Sequence, residues 1–386
     1  MKVAIAIHPF GRSGGAERLA IMHAVGLSKR GYDVKFYTDT STLDPNWVDL
    51  LRQNVEVKNL PYGLGAGGAV REMEQADCIL IHHHVEPLVA LRIALKYGYK
   101  TCMYVGELTR AIWERQLTGA DYRQFSPSVY QTAKHFYGPV STLALKGPVY
   151  NLTTALLRVL DRMTIMRCGM VIANSNYTAE ITRRILGYKG PIPVVYPASG
   201  IPSSMFHPNF ENGEYLLAVG ALQPNKNHHA LFKAMSTLDD PPPLCLIGDG
   251  QEGGALRALA KKLSLSIKFY PRVDDEALCR LYERSLFVAV SSLSEPFGMT
   301  PVEGALAGKP SVVGAVGGTR EFVLDGETGL VVNSTSVRHM AVALRLLLED
   351  TNLRKAMGQR ARERALSHFT LDNSVTSLAG ALNVLA

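Results

Sequence analysis

Leu286-Phe287-Val288-Ala289-Val290-Ser291-Ser292-Leu293-Ser294-Glu295-Pro296-Phe297-Gly298-Met299-Thr300-Pro301-Val302-Glu303-Gly304-Ala305-Leu306-Ala307-Gly308-Lys309-Pro310-Ser311-Val312-Val313 is the stretch whose pattern decides the fold. Its compact apolar start reads as a buried parallel strand. Thr300 or Pro301 can open a helix, and Gly308-Lys309-Pro310 closes it ahead of another strand. That is one βαβ unit. In open α/β sheets ligands sit beyond the carboxyl ends of the strands, which places Glu295 on a crevice loop and Glu303 within the following helix.

A loop acid and a helix acid with seven residues between them do not make a tight acid/base dyad. They suit a ligand that carries hydroxyls at both ends. Between them, backbone N–H groups around Phe297, Gly298, Met299 and Thr300, with the positive end of the helix dipole, offer a site for anionic oxygen, phosphate foremost. A nucleotide sugar has this layout: sugar hydroxyls, diphosphate, ribose hydroxyls. From the spacing alone, two ordinary solvated carboxylates are an equally good account.

Glu295-Pro296-Phe297-Gly298 with Glu303, and the turn from Ala305 to Pro310, resemble the E-x7-E signature of the retaining glycosyltransferases of family 4. The resemblance runs over nearly the whole chain. It implies an α/β chain of the GT-B fold, with two doubly wound Rossmann-like domains and a cleft between them. Residues 1–190 would form the acceptor-binding domain, 191–370 the nucleotide-sugar-binding domain, and 371–386 a helix returning to the first. It further implies that Glu295 holds sugar hydroxyls, that Phe297 to Met299 offer backbone contacts, and that Glu303 binds the ribose.

Composition sets wide bounds. The 386 residues suit two domains, and 47% hydrophobic against 19% charged residues provides for real cores. Five scattered cysteines with no C-x-x-C fit a reduced, cytoplasmic setting better than a disulfide framework or zinc site, and no metal is expected. The start Met1 to Ile7 is too short for a secretory signal and reads as a first strand; no apolar run approaches a spanning helix. A net charge of +7 favours anionic partners: nucleotide diphosphates or anionic lipid headgroups. Nucleic acid is disfavoured, because no Lys/Arg block is interleaved with aromatics.

In the first half, a strand runs into His8-Pro9-Phe10-Gly11-Arg12-Ser13-Gly14-Gly15-Ala16-Glu17-Arg18 and then a helix. This layout presents N–H groups to phosphate, although a plain tight turn explains the two glycines as well. The string resembles the family's N-terminal loop, which implies Gly14 and Gly15 as contacts to the donor diphosphate. The glycine run Gly63 to Gly68 is expected to be a flexible surface loop.

The strand Cys78 to Ile81 ends in His82-His83-His84. Consecutive residues of an extended segment alternate faces, so these cannot all bind one metal. Packing, or a sugar contact by His83 or His84, are both open. Gly106-Glu107-Leu108-Thr109-Arg110 resembles the family's sugar-proximal strand-loop, with Glu107 and Arg110 matching and Gly106 standing where a histidine is common. Residues 122–167 are basic, aromatic and apolar, with one helix expected from Leu152 to Cys168. A helix whose cations simply face water and a helix lying on an anionic membrane are level alternatives.

Gly187 to Pro208 is rich in Pro and Gly and is expected to contain the interdomain crossing. The second half opens with Tyr215 to Val219, a loop and Lys226, resembling the family's V-G-R-L followed by Lys. Lys226 is thereby implied as a diphosphate contact, while Ala221 stands in the usual arginine position; read alone, Lys226 is a surface lysine. By the same resemblance the backbone at Arg272 and Val273 lies near the nucleobase.

These features lead to the expectation of a retaining glycosyltransferase with Glu295 and Lys226 at the reaction centre and no cofactor beyond a nucleotide-sugar donor. The donor would be GDP-mannose ahead of a UDP-sugar, and the acceptor a lipid-linked or polysaccharide precursor. The protein would be cytoplasmic, peripheral on the inner face of the membrane. A non-catalytic nucleotide-sugar-binding partner in a glycosyltransferase complex and a GT-B sugar-nucleotide epimerase are the alternatives.

Overall fold

The computed structural model describes residues 1–8, 15–82, 85–106, 148–210 and 213–386. They form two units, Met1–Gly200 with Leu371–Ala386, and Ile201–Thr370.

The first unit is built on β1 (Lys2–Ala6), β2 (Asp33–Thr38), β3 (Glu56–Asn59), β4 (Cys78–His82), β5 (Thr101–Val105) and β6 (Met170–Ala173). Their order is β3-β2-β1-β4-β5-β6, every described pairing being parallel. Runs such as Val3-Ala4-Ile5-Ala6 and Cys78-Ile79-Leu80-Ile81 are buried at every position. Only a sheet covered by helices on both faces needs strands without alternation.

The second unit repeats the plan with β7 (Tyr215–Val219), β8 (Leu244–Ile247), β9 (Ile267–Tyr270), β10 (Ser285–Val290), β11 (Ser311–Gly314) and β12 (Gly329–Val332). The order β12-β11-β10-β7-β8-β9 is the same doubly wound order read from the other edge. In each sheet the strand order reverses once, between β1 and β4 and between β7 and β10. At such a switch point the loops diverge and leave a crevice beyond the strand ends.

The helix Leu371–Leu385 packs on the helix Gly15–Lys29 inside the first unit. Gly26 makes room for it: a Cβ there would lie 2.4 Å from Val375 Cγ2. His23 Nε2 meets Ser374 Oγ at 3.1 Å, and Arg30 bonds Asp372 and Thr376. Ala173 bridges Val194, and Val195 N–H donates to Ala173 O, which keeps that part of the Pro/Gly-rich segment with β6.

Some local expectations change. The glycine run from Gly63 is a 3-10 turn, Gly63–Ala66, leading into the helix Gly67–Glu72, because Ala66, Ala69, Val70 and Met73 are buried and outweigh the glycine penalty. After β6 the chain runs through the α-helix Asn176–Ile181 and a π turn, Thr182–Leu186, ended by Gly187 at φ +75°. The helix expected at Leu152–Cys168 is Pro148–Arg167.

Candidate active site

The switch point of the second unit gathers most of the residues singled out there. Lys226 lies on the loop leaving β7 and Glu295 on the loop leaving β10. Their side chains meet, Lys226 Nζ to Glu295 Oε2 at 2.6 Å, with 23% and 16% of each side chain exposed. Ser292 Oγ donates to the same carboxylate oxygen at 3.0 Å, and Ser291 Oγ donates to Lys226 O at 2.8 Å. The two acids and the lysine were read as separate ligand contacts; the fold makes the lysine and the first acid one ion pair.

Glycines shape the loop around that pair. Gly298, at φ +87°, is the N-cap of the helix Met299–Leu306; a Cβ there would sit 2.6 Å from Thr319 Cγ2 and 3.2 Å from Glu295 Cγ. Gly317, at φ +126°, lies against the backbone of Glu295, where a Cβ would fall 2.2 Å from the carbonyl oxygen. Gly318 N–H donates to that oxygen at 2.8 Å. Sequence reasoning missed Ser292 and the holding role of Gly317-Gly318. The adjacent glycines were a signal for close backbone approach, whereas nothing marked Ser292 among its neighbouring serines.

The helix Met299–Leu306 has no side-chain cap at its amino end, so N–H groups of its first turn are donors that an anion can use. Phe297 is buried, its ring 5.6 Å from that of Phe369. Thr300 Oγ1 donates to Val219 O at 3.4 Å and ties the helix start to the end of β7. Glu303 accepts from Tyr282 O–H at 2.7 Å on Oε2. Burial, with the Glu303 carboxylate beside it, drives the Tyr282 phenol well above its usual range, so it stays a donor. Arg272 and Val273 follow β9, the edge strand, the first exposed and the second half-buried.

Close by, His228 opens the helix His228–Met235 and is buried; burial pulls it down to about 4, against the opposing pull of the Ala221 backbone beside the ring. It is a neutral imidazole beside the lysine loop.

In the first unit, Gly15 begins the helix Gly15–Lys29 after β1. His8 ties the loops at that switch point: Glu86 N–H donates to His8 Nδ1 at 2.9 Å, which leaves Nε2–H to donate to Leu60 O at 3.0 Å. Gly14, His83, His84, Glu107 and Arg110 lie outside the described residues. Among the described residues no group of three His, Cys, Asp or Glu side chains is arranged around a metal position, and no helix is long and apolar enough to cross a membrane.

Known proteins resemble this chain in sequence and in fold. Residues 203–364 match the family described as Glycosyl transferases group 1. A D-inositol 3-phosphate glycosyltransferase of Corynebacterium urealyticum is 27% identical over 248 residues, 57% of this chain and 58% of that protein. The enzyme of the same name from Nocardia farcinica is 27% identical over 383 residues, 91% of this chain and 80% of that one. Among solved structures, Anabaena HepE in complex with UDP-glucose superposes with a TM-score of 0.74 at 20% identity, covering 100% of both chains. The fold is α/β of the GT-B type, with two Rossmann-like units, and residues 203–364 are similar to the glycosyl transferases group 1 family.

Proposed function

We propose that this protein is a retaining glycosyltransferase that moves a hexose from a nucleoside diphosphate sugar to a lipid-linked or glycan-precursor acceptor. The observation that carries the proposal is the Lys226–Glu295 pair, set at a switch point beside the amino end of the Met299 helix. A diphosphate entering there exchanges one anionic partner of Lys226 for another, and the freed Glu295 carboxylate is placed to accept from sugar hydroxyls. As the bond from the anomeric carbon to the diphosphate oxygen breaks, charge gathers on that oxygen, and Lys226 with the helix N–H groups stabilises it. The acceptor hydroxyl forms the new bond on the same face, and its proton passes to the departing phosphate oxygen. Glu303, oriented by Tyr282, would grip the ribose, and the backbone at Arg272 and Val273 the base.

Two donors are in play. The N-terminal Gly-Gly-Ala-Glu-Arg string favours GDP-mannose, as in enzymes that mannosylate lipid-linked oligosaccharides; the likeness to HepE, solved with UDP-glucose, favours a UDP-sugar. Gly14, Gly15, His83, His84, Glu107 and Arg110 are proposed for the donor phosphates and the acceptor on the first unit.

An anionic bilayer is the proposed surface for a lipid acceptor. Leu156, Val159, Met163 and Met166 are exposed at helical spacing on Pro148–Arg167, with Arg167 on the same outer face, Arg162 turned to Ile185 O at 2.9 Å, and the helix's acid, Asp161, buried. Peripheral attachment to the cytoplasmic leaflet follows from this proposal.

The test is a panel of GDP- and UDP-hexoses with a bacterial lipid extract, the product anomer being read by NMR. Retention with one donor supports the proposal; an inverted product, or turnover with none, refutes it. Ala221 in the usual arginine position favours a second reading, a non-catalytic nucleotide-sugar-binding subunit. Donor binding by calorimetry without transfer or hydrolysis would select it, and epimerised donor without acceptor would select an epimerase.

A further inference from the structure

The helix Thr351–His368 looks from its composition like a solvated surface helix, yet four of its arginines, Arg354, Arg360, Arg362 and Arg364, are turned onto main-chain carbonyls, Arg360 Nε donating to Glu327 O at 2.8 Å. Arg354 Nη1 donates to Leu347 O at 2.5 Å, near the carboxyl end of the helix Val337–Glu349. Arg364 donates from Nε to Phe322 O at 2.9 Å and from Nη2 to Glu321 O at 2.7 Å, at the end of Thr319–Phe322. Arg362 Nη1 donates to Leu306 O, the last residue of the Met299–Leu306 helix. The final carbonyls of a helix have no partner within it, and a cation there also complements the helix dipole.

The same segment holds the other end of the motif. Phe369, directly after the arginine helix, places its ring 5.6 Å from Phe297, 5.1 Å edge-on from Phe322, and under the Arg364 guanidinium at 5.4 Å. One turn before Arg362, Gly358 lets the helix approach the Gly308 turn: a Cβ there would fall 2.2 Å from Gly308 O. The chain from Glu295 to Leu306 is thus gripped at Phe297 and at Leu306 from one element.

We infer that Arg362 and Phe369 are positioning residues for the donor site, clamping the two ends of the Glu295–Glu303 segment so that both carboxylates keep a fixed separation. The inference rests on the donor-site reading above, and it assigns these residues no contact with substrate. The Met299–Leu306 helix is little more than two turns long, so fraying at Leu306 reaches the turn that carries Glu303. Arg354, on the same helix but capping a different one, provides the internal control.

The experiment compares Arg362→Met, Arg362→Lys, Phe369→Leu and Arg354→Met in the full chain. Hydrogen exchange is followed in residues 297–306, alongside UDP and GDP affinity by calorimetry and thermal stability. Arg362→Met and Phe369→Leu are expected to speed exchange in 297–306 and to weaken the nucleotide that the wild type binds by about tenfold, with partial rescue in Arg362→Lys. Arg354→Met is expected to lower the melting temperature without either effect. Unchanged exchange in 297–306, or equal weakening by Arg354→Met, overturns the clamp. Faster exchange with no UDP or GDP binding by the wild type leaves the clamp standing as a structural feature and refutes the donor-site reading, and with it the positioning role.

Discussion

Lys226 Nζ and Glu295 Oε2 stand 2.6 Å apart across 69 residues of sequence. The contact exists because β7 and β10 are adjacent where the strand order reverses. Ser292 adds a third group to the same carboxylate, so each partner of the pair is oriented as well as neutralised.

Removing one half of this pair is expected to cost more than the pair's own attraction. Lys226→Met leaves the half-buried Glu295 carboxylate without its cation, and takes away a cation from the proposed leaving-group oxygen; kcat/KM should fall by about 100-fold or more. Glu295→Gln should reduce turnover with the sugar donor while sparing affinity for the free nucleoside diphosphate. The double variant should lose less than the two single losses combined, because neither group is then left unpaired. Steady-state kinetics on the three variants decide it, and strictly additive losses would count against a working pair.

The glycines that hold the loop give a stability prediction with a built-in contrast. At Gly317 a methyl would meet the Glu295 carbonyl oxygen at 2.2 Å, at a φ of +126° that other residues rarely adopt. Gly317→Ala should therefore destabilise by about 2 kcal/mol or more and displace Glu295. At Gly254, within the helix Gly253–Lys262, a Cβ meets nothing within 4 Å, so Gly254→Ala should stabilise by about 0.5–1 kcal/mol. Denaturant midpoints for both variants test the contrast.

Much of the second unit was legible because its signals are local. The apolar run ahead of Glu295, the helix start near Thr300 and the Gly308 turn are all set by neighbours in sequence, and the structure has them as β10, Met299–Leu306 and a left-handed Gly308 at φ +79°. The ion pair was not legible, since it depends on which strands become neighbours. The run at Gly63 failed for a related reason: tertiary burial of Ala66 and Val70 overrides a local preference for loop. Arg362 was invisible too, because an arginine on a charged helix gives no hint that it will meet the end of another helix.

Tyr282 tests the role given to Glu303. Its hydroxyl is fully buried and donates to Glu303 Oε2 at 2.7 Å. Tyr282→Phe keeps the ring and removes the donor, a bond to a charged group of about 1.5–3 kcal/mol. If Glu303 grips the ribose, the variant should show a several-fold higher donor KM and a reduced preference for the ribonucleotide over its 2′-deoxy analogue. An unchanged preference would separate Glu303 from the ribose.

Acid sensitivity should come from two buried histidines, one in each unit. Burial lowers His23 from 6.5 to about 3 and His228 from 6.5 to about 4. Each folded value lies below the unfolded one, so below pH 6.5 the unfolded chain binds protons that the folded chain refuses. The stability contributed by the neutral rings is complete above that pH and is lost as pH falls toward the folded values, with a slope of about 1.4 kcal/mol per pH unit for each histidine. His23 Nε2 meets Ser374, and His228 lies against the Ala221 backbone. His228→Leu should flatten the acid limb of the second unit, while His23→Leu should flatten the limb of the first and loosen the helix Leu371–Leu385. Melting temperatures between pH 4 and pH 7 for the wild type and both variants measure this, and parallel curves for all three would remove the histidines from the account.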